Sequence, residues 1–326
     1  FVLASQDPWE LNTFLPFHNT GDQARVRRDF AWNEKKRNVK AYDAITGKRS
    51  WGHNNKVAPL TLTSDEHNVY FHDGEKVMAL NRSSGDVAWS GGKAGRPAQI
   101  RFNFGPKLVV HDGVVLYAGG DRLMRAFDSQ SGKQLWEAPH ARGGYQSPED
   151  LLVMKGMVWS APTTSGRDSG AFTGRDLRTG EEKVVFPPNV DTYWFHHRCY
   201  IAKATDNYLM PSRTGIEFVD PDKQDWNINH WVRGGCLYGV MPANGLTYTP
   251  PHNCACYPEA KLFGFNALAP AAPTRKLGKV DETNRLEKGP AYGQATDSAG
   301  NADSDWPTYR HDNLRSGFST TAIGAK

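Results

Sequence analysis

Short apolar runs broken by glycine-containing bends recur along most of the chain, the pattern of strands rather than of helices. Leu108-Val-Val-His-Asp-Gly-Val-Val-Leu-Tyr117 and Leu151-Leu-Val-Met-Lys-Gly-Met-Val-Trp159 each read as two strands bent at Asp-Gly or Lys-Gly. A second pattern follows such pairs: Ala41-Tyr-Asp-Ala-Ile-Thr-Gly-Lys-Arg-Ser-Trp51, Ala79-Leu-Asn-Arg-Ser-Ser-Gly-Asp-Val-Ala-Trp89 and Ala126-Phe-Asp-Ser-Gln-Ser-Gly-Lys-Gln-Leu-Trp136. Degenerate copies lie at 175–183, 217–226 and 262–268. Each copy predicts a strand ended by Asp or Asn, a Ser/Thr-Gly turn, and a strand anchored by Trp, with glycine supplying the positive φ of the turn. Strand pair plus copy makes four strands per unit, at a period of about forty residues.

Composition agrees: 10 Trp, 12 Tyr and 15 Phe stand beside 32 Gly and 20 Pro in 326 residues. The 39 basic and 35 acidic residues leave a net charge of +4, too small a field to hold nucleic acid nonspecifically. No apolar run approaches the roughly 18 residues of a membrane span, and with no charged-then-apolar leader ahead of Phe1 any export signal is expected to have been removed or not included. Both ends read as cuts through a repeat, which implies further domains of a larger parent chain. The expected division is blades over 1–268 with the first truncated, an exposed excursion or linker over 269–305, and a further repeat or closing strand beginning over 306–326.

The pattern Ala-x-Asp-x-x-Thr-Gly-Lys-x-x-Trp at 41–51 resembles the quinoprotein-like (PQQ-like) β-propeller repeat, and the likeness runs from about residue 40 to 270. It implies an all-β fold, a propeller of four-stranded blades, seven or eight in a complete ring. Trp51, Trp89 and Trp136 are then expected to wedge between neighbouring blades. The motif specifies fold and hardly specifies function.

In a propeller the first strand of each blade lines the central channel, so residues at those strand starts converge on one mouth. Here they include Arg101, Tyr145, His196, His197, Arg198, Cys199, Tyr200, Arg233 and Cys236. Such polarity exceeds what a packed strand start needs and points to a functional mouth. All four cysteines, Cys199, Cys236, Cys254 and Cys256, fall within 58 residues of one another. Alternation puts Cys254, Cys256 and His252 on one side of a strand and Cys199 with His197 on another, an arrangement suited to a structural zinc. Disulfides or free thiols are the alternatives.

The segments His196-His-Arg-Cys-Tyr200, Ser212-Arg-Thr-Gly-Ile-Glu-Phe-Val-Asp220, Asn229-His-Trp-Val-Arg-Gly-Gly-Cys236 and Pro250-Pro-His-Asn-Cys-Ala-Cys-Tyr257 resemble large bacterial propeller proteins with quinoprotein-like repeats, and more distantly the propeller-type ulvan lyases. The second resemblance implies β-elimination on an acidic polysaccharide or oligosaccharide. Arg213, or Arg198 or Arg233, would meet the uronate carboxylate, His196 or His197 would be the base, and Tyr200 or Tyr193 the acid. Arg101 and Tyr145 would add substrate contacts, and His140 would stand for an upstream histidine. The chain departs from the lyase pattern at His197, where a tyrosine is expected, and at Gln146, where a histidine is. Two other classes compete: a noncatalytic scaffold for protein contacts in the cell envelope, and a quinone-dependent dehydrogenase. The last stacks its cofactor on an adjacent Cys-Cys pair, which is missing here, so no PQQ is expected. Family resemblance implies a periplasmic or extracellular location.

Overall fold

The computed structural model describes residues 1–5, 32–100, 105–141, 150–160, 169–189, 200–212, 215–235, 239–251 and 262–271, with scattered positions beyond them. The chain forms two compact units, Phe1–Pro270 and Ala271–Lys326. In the second, Tyr292 closes a turn onto the Gly289 carbonyl and its ring receives the Lys288 ammonium at 4.8 Å.

Among its described residues the first unit is all strand and turn, in six antiparallel sheets that follow one another along the chain. Sheet one holds β1 (Val2–Ser5), β2 (Lys36–Tyr42) and β3 (Arg49–Lys56). Sheet two holds β4 (Thr63–Ser64), β5 (Asn68–His72), β6 (Lys76–Asn81) and β7 (Val87–Lys93). Sheet three holds β8 (Lys107–His111), β9 (Val114–Ala118), β10 (Leu123–Asp128) and β11 (Gln134–Pro139). Sheet four holds β12 (Leu152–Met154), β13 (Met157–Trp159), β14 (Phe172–Asp176) and β15 (Glu182–Phe186). Sheet five holds β16 (Lys203–Ala204), β17 (Leu209–Met210), β18 (Ile216–Asp220) and β19 (Asp225–Asn229). Sheet six holds β20 (Met241–Ala243), β21 (Leu246–Thr249) and β22 (Asn266–Leu268). Every sheet is a meander, and first strands of neighbouring sheets meet, β4 against β8 and β12 against β16. These are the blades of a β-propeller.

Why the middle strands read as unbroken apolar runs follows from their two neighbours. On β9, Val114, Leu116 and Ala118 face sheet four while Val115 and Tyr117 face sheet two, and all five are fully buried. Strands sandwiched on both faces need no polar side. Five such clusters fill the joints between successive blades.

The Asp-x-x-Ser/Thr-Gly turn is equally legible. The Asp128 carboxylate accepts from the backbone N–H of Gln130 and Ser131 and from the Ser131 hydroxyl, while Gly132 N–H closes onto the Asp128 carbonyl. Asp43 and Asp176 repeat the arrangement with Thr46 and Thr179. Backbone donors to Asp43 and Asp176, and the Ser131 hydroxyl to Asp128, hold these carboxyls below the usual range.

Each repeat tryptophan locks onto the next blade's turn. Trp51 Nε1 donates to Arg82 O, Trp89 Nε1 to Ser129 O and Trp136 Nε1 to Leu177 O, at 2.8, 2.9 and 2.9 Å. The indoles lie flat against Gly85, Gly132 and Gly180, where a Cβ would sit 2.5 to 2.6 Å from ring carbons. Each glycine comes three positions after the accepting carbonyl, so one geometry serves all three joints. Blade four breaks the rule. Val184 takes the tryptophan position, opposite Gly174 as Trp136 is opposite Ala126, and the glycine position of the next turn holds Gln224 at φ 54°. Without an indole to admit, the turn tolerates a side chain. The indole of this joint comes instead from Trp159 on β13, fully buried against Gly174, and among the described residues its Nε1 has no hydrogen-bond partner.

Candidate functional site

The residues expected to form a site fall largely on segments between the described strands. Of the residues expected to act there, Arg101, Tyr145, His196, His197, Arg198, Cys199, Arg213, Cys236, His252, Cys254 and Cys256 lie outside the described residues, as do Tyr193 and Gln146. Tyr200, Arg233 and His140 are described. Among the described residues no group of three His, Cys, Asp or Glu side chains could hold a metal.

Tyr200, expected to serve as an acid, is 2% exposed in the joint between blades five and six. Its hydroxyl donates to the Gly215 carbonyl, its own carbonyl accepts from the Ser212 hydroxyl at 2.6 Å, and its ring packs on Gly239, whose φ is +72°. A phenol so enclosed packs a joint rather than facing substrate. Arg233, expected to meet a carboxylate, is buried at 4% exposure. His140, also 4% exposed, has Nε2 2.7 Å from the Asp150 carbonyl.

Sequence reasoning passed over a second polar group between blades two and three. His72 is fully buried, its ring stacked on Tyr117 at 4.5 Å and 6°. Gly74 N–H donates to Nδ1, so Nε2 carries the proton and donates to the Ala94 carbonyl at 3.0 Å. Burial holds this imidazole below the usual histidine range, in its neutral form. Arg125, 7% exposed, pairs with Asp121 and Glu137, both at 2.8 Å. Nearby, a cleft of about 390 Å³ is lined by Gly74, Glu75 and the 93–98 segment. Its guanidinium, Arg96, lies 5.5 Å over the Trp32 ring, pairs with Glu34 and donates to the carbonyls of Gly74, Pro97 and Ala98. The only signal in the sequence was a histidine, an arginine and a tyrosine on strands otherwise apolar. Most of the polar atoms of these groups are bonded to one another or to the backbone, which fastens blades together, while Arg125 Nη1 has no hydrogen-bond partner among the described residues.

Comparison with known proteins agrees with that picture. The family model described as outer membrane protein assembly factor BamB matches residues 35–185. Residues 35–185 are PQQ-like propeller repeats. A curated relative, outer membrane protein assembly factor BamB of Burkholderia pseudomallei (strain K96243), is 25% identical over 163 residues, 46% of this chain and 42% of that relative. The chain therefore spans less than half the length of the curated relative it matches. Among solved structures, BamB from Moraxella catarrhalis aligns with a TM-score of 0.46 at 15% identity, over 68% of this chain and 66% of that one. A europium-containing methanol dehydrogenase aligns with a TM-score of 0.43 at 12% identity, over 66% and 58%.

The lyase expectation is thereby corrected. Both the family model and the curated relative that match the PQQ-like repeats are of an assembly factor, not of a polysaccharide-cleaving enzyme. The acid role of Tyr200 and the acidic polysaccharide as partner fall with it. No helix among the described residues is long and apolar enough to cross a membrane.

Proposed function

We propose that this chain is a noncatalytic propeller scaffold that makes protein contacts in the cell envelope, on the periplasmic side of the outer membrane. The observation that carries the reading is the match of its PQQ-like repeats to an outer membrane protein assembly factor, in both a family model and a curated relative. Its described polar clusters fit such a role, because His72, Arg125, Arg96 and Tyr200 spend their hydrogen bonds on the blades themselves. A scaffold needs rigid joints more than a reactive group. The test is depletion of the chain in the cell it comes from, with folded outer membrane β-barrel proteins measured by their heat-modifiable migration. A reduced folded fraction, restored by the chain, is expected; an unchanged fraction refutes the reading.

Part of the same reading is a structural zinc on Cys199, Cys236, Cys254 and Cys256, with His252 and His197 as alternative ligands, suggested by their clustering in sequence. Elemental analysis of the purified chain decides it: one zinc per chain is expected, and none refutes it.

A further inference from the structure

Charge is spread unevenly over the blades. The last hairpin of each nets +5 in blade one (residues 36–56), +2 in blade two (76–93), zero in blades three and four (123–139 and 172–186) and −3 in blade five (216–229). The whole chain nets +4, so the hairpin of blade one carries more positive charge than the entire molecule.

Strand register puts much of that charge on one surface. Val39, Ala41 and Trp51 pack into the cluster shared with Val69 and Phe71 of blade two, so alternation along β2 turns Lys36, Asn38, Lys40 and Tyr42 to the opposite face. Across the ladder their β3 partners are Lys56, Asn54, Gly52 and Arg49, and β1 sets Val2 beside Lys40. This face is open: Val2, Lys36, Tyr42, Arg49, Gly52, Asn54 and Lys56 are all exposed, with Asn38 donating to Asn54 at 2.7 Å across its middle. Among the described residues Lys56 pairs with Glu34 at 3.4 Å, whereas Lys36, Lys40, Lys48 and Arg49 have no ion pair. Lys36 lies directly opposite Lys56, and like charges so placed destabilise a sheet unless an anionic surface relieves them.

The turn at the end of this face carries an apolar residue at its tip. Ile45 is 95% exposed, where the same place in blades two to five holds Ser83, Gln130, Arg178 and Asp222. Tyr42, 43% exposed, precedes the turn, and Lys48 and Arg49 follow it. An aliphatic tip flanked by long cationic side chains suits a lipid headgroup layer, the apolar part below the phosphates and the charges level with them.

We propose that this face of blade one docks on an anionic phospholipid bilayer, with Lys36, Lys40, Lys48 and Arg49 against headgroup phosphates and Ile45 inserted between them. A surface of many phosphates matches cations spread over about 20 Å of strand, which a lone small anion cannot span. An acidic polypeptide meets the same cations but leaves Ile45 in water. The inference is independent of the scaffold reading, because it rests on the charge and register of blade one and involves no partner protein.

The experiment is cosedimentation of the full chain with phosphatidylcholine vesicles made with and without phosphatidylglycerol, at low and high salt. Binding to the anionic vesicles alone, weakened by salt, is expected. Lys36→Gln, Lys40→Gln and Lys48→Gln should each lower the partition coefficient about fivefold. Ile45→Ser should lower it about tenfold. Lys133→Gln, at the Lys48 place in blade three, should leave it unchanged, and unfolding temperatures matching the parent's show each blade intact. Polyglutamate serves as the competing ligand. No binding to anionic vesicles, equal binding to neutral ones, equal losses in Lys133→Gln and Lys48→Gln, or indifference to Ile45→Ser overturns the proposal. Binding of polyglutamate without binding of vesicles overturns it too, and assigns the face to an acidic polypeptide.

Discussion

Gly132→Ala tests the lock that repeats between blades. Gly132 sits at φ +70°, and a Cβ there would lie 2.5 Å from Trp89 Cε3 and 2.6 Å from Cδ2. Carbon atoms pack best at 3.5 to 4.0 Å, so the ring must withdraw by about 1 Å. Withdrawal strains the 2.9 Å bond from Trp89 Nε1 to the Ser129 carbonyl, worth about 1 kcal/mol. Forcing the joint apart adds about 1 to 3 kcal/mol. Left-handed strain on alanine is a separate cost of about 1 to 2 kcal/mol, partly offset by a stiffer unfolded chain. Gly156→Ala isolates that second cost, because Gly156 has the same φ of +70° and nothing within 4 Å of its Cβ position. The expected result is that Gly132→Ala destabilises by about 2 to 4 kcal/mol more than Gly156→Ala in urea unfolding. Equal losses in the two variants would refute the lock, and the glycine would then serve only the turn.

Blade four supplies two sharper comparisons. Gly174 has no left-handed backbone to confuse the reading, yet its Cβ would lie 2.6 to 2.9 Å from the Trp159 ring, so Gly174→Ala should cost about 1 to 3 kcal/mol by packing alone, read from the urea midpoint. Trp159→Phe should cost about 1 kcal/mol less than Trp136→Phe, since only Trp136 gives up an indole hydrogen bond, and equal costs in the same assay would contradict this. His72 adds a pH dependence. Its folded pKa is depressed by burial, so the unfolded chain binds the proton more readily. The stability it contributes is complete above the ordinary value of about 6.5 and is lost as pH falls from there through the folded value. Unfolding midpoints measured from pH 7.5 downward should drop more steeply for the parent than for His72→Gln, and parallel curves would exclude the assignment.

The propeller could be read from sequence because its register is written into a few adjacent residues. Asp at the strand end caps the turn, glycine admits the neighbour's indole, and tryptophan four residues on supplies it, so Asp128, Gly132 and Trp136 state a joint almost by themselves. Blade four escaped that reading because its solution is not local. Trp159, Gly174, Val184 and Gln224 make one compensated exchange, yet they are spread over two blades, and each alone passes for an ordinary strand or turn residue.

The mouth was harder for a different reason. A polar residue at a strand start looks the same in sequence whether a ligand or a backbone carbonyl satisfies it, and Tyr200 proved to be the second kind, its hydroxyl given to Gly215. Partner bookkeeping therefore separates the two classes where residue type cannot. Groups whose bonds close within the blades hold the fold, and those whose bonds stay open are where a ligand has something to gain.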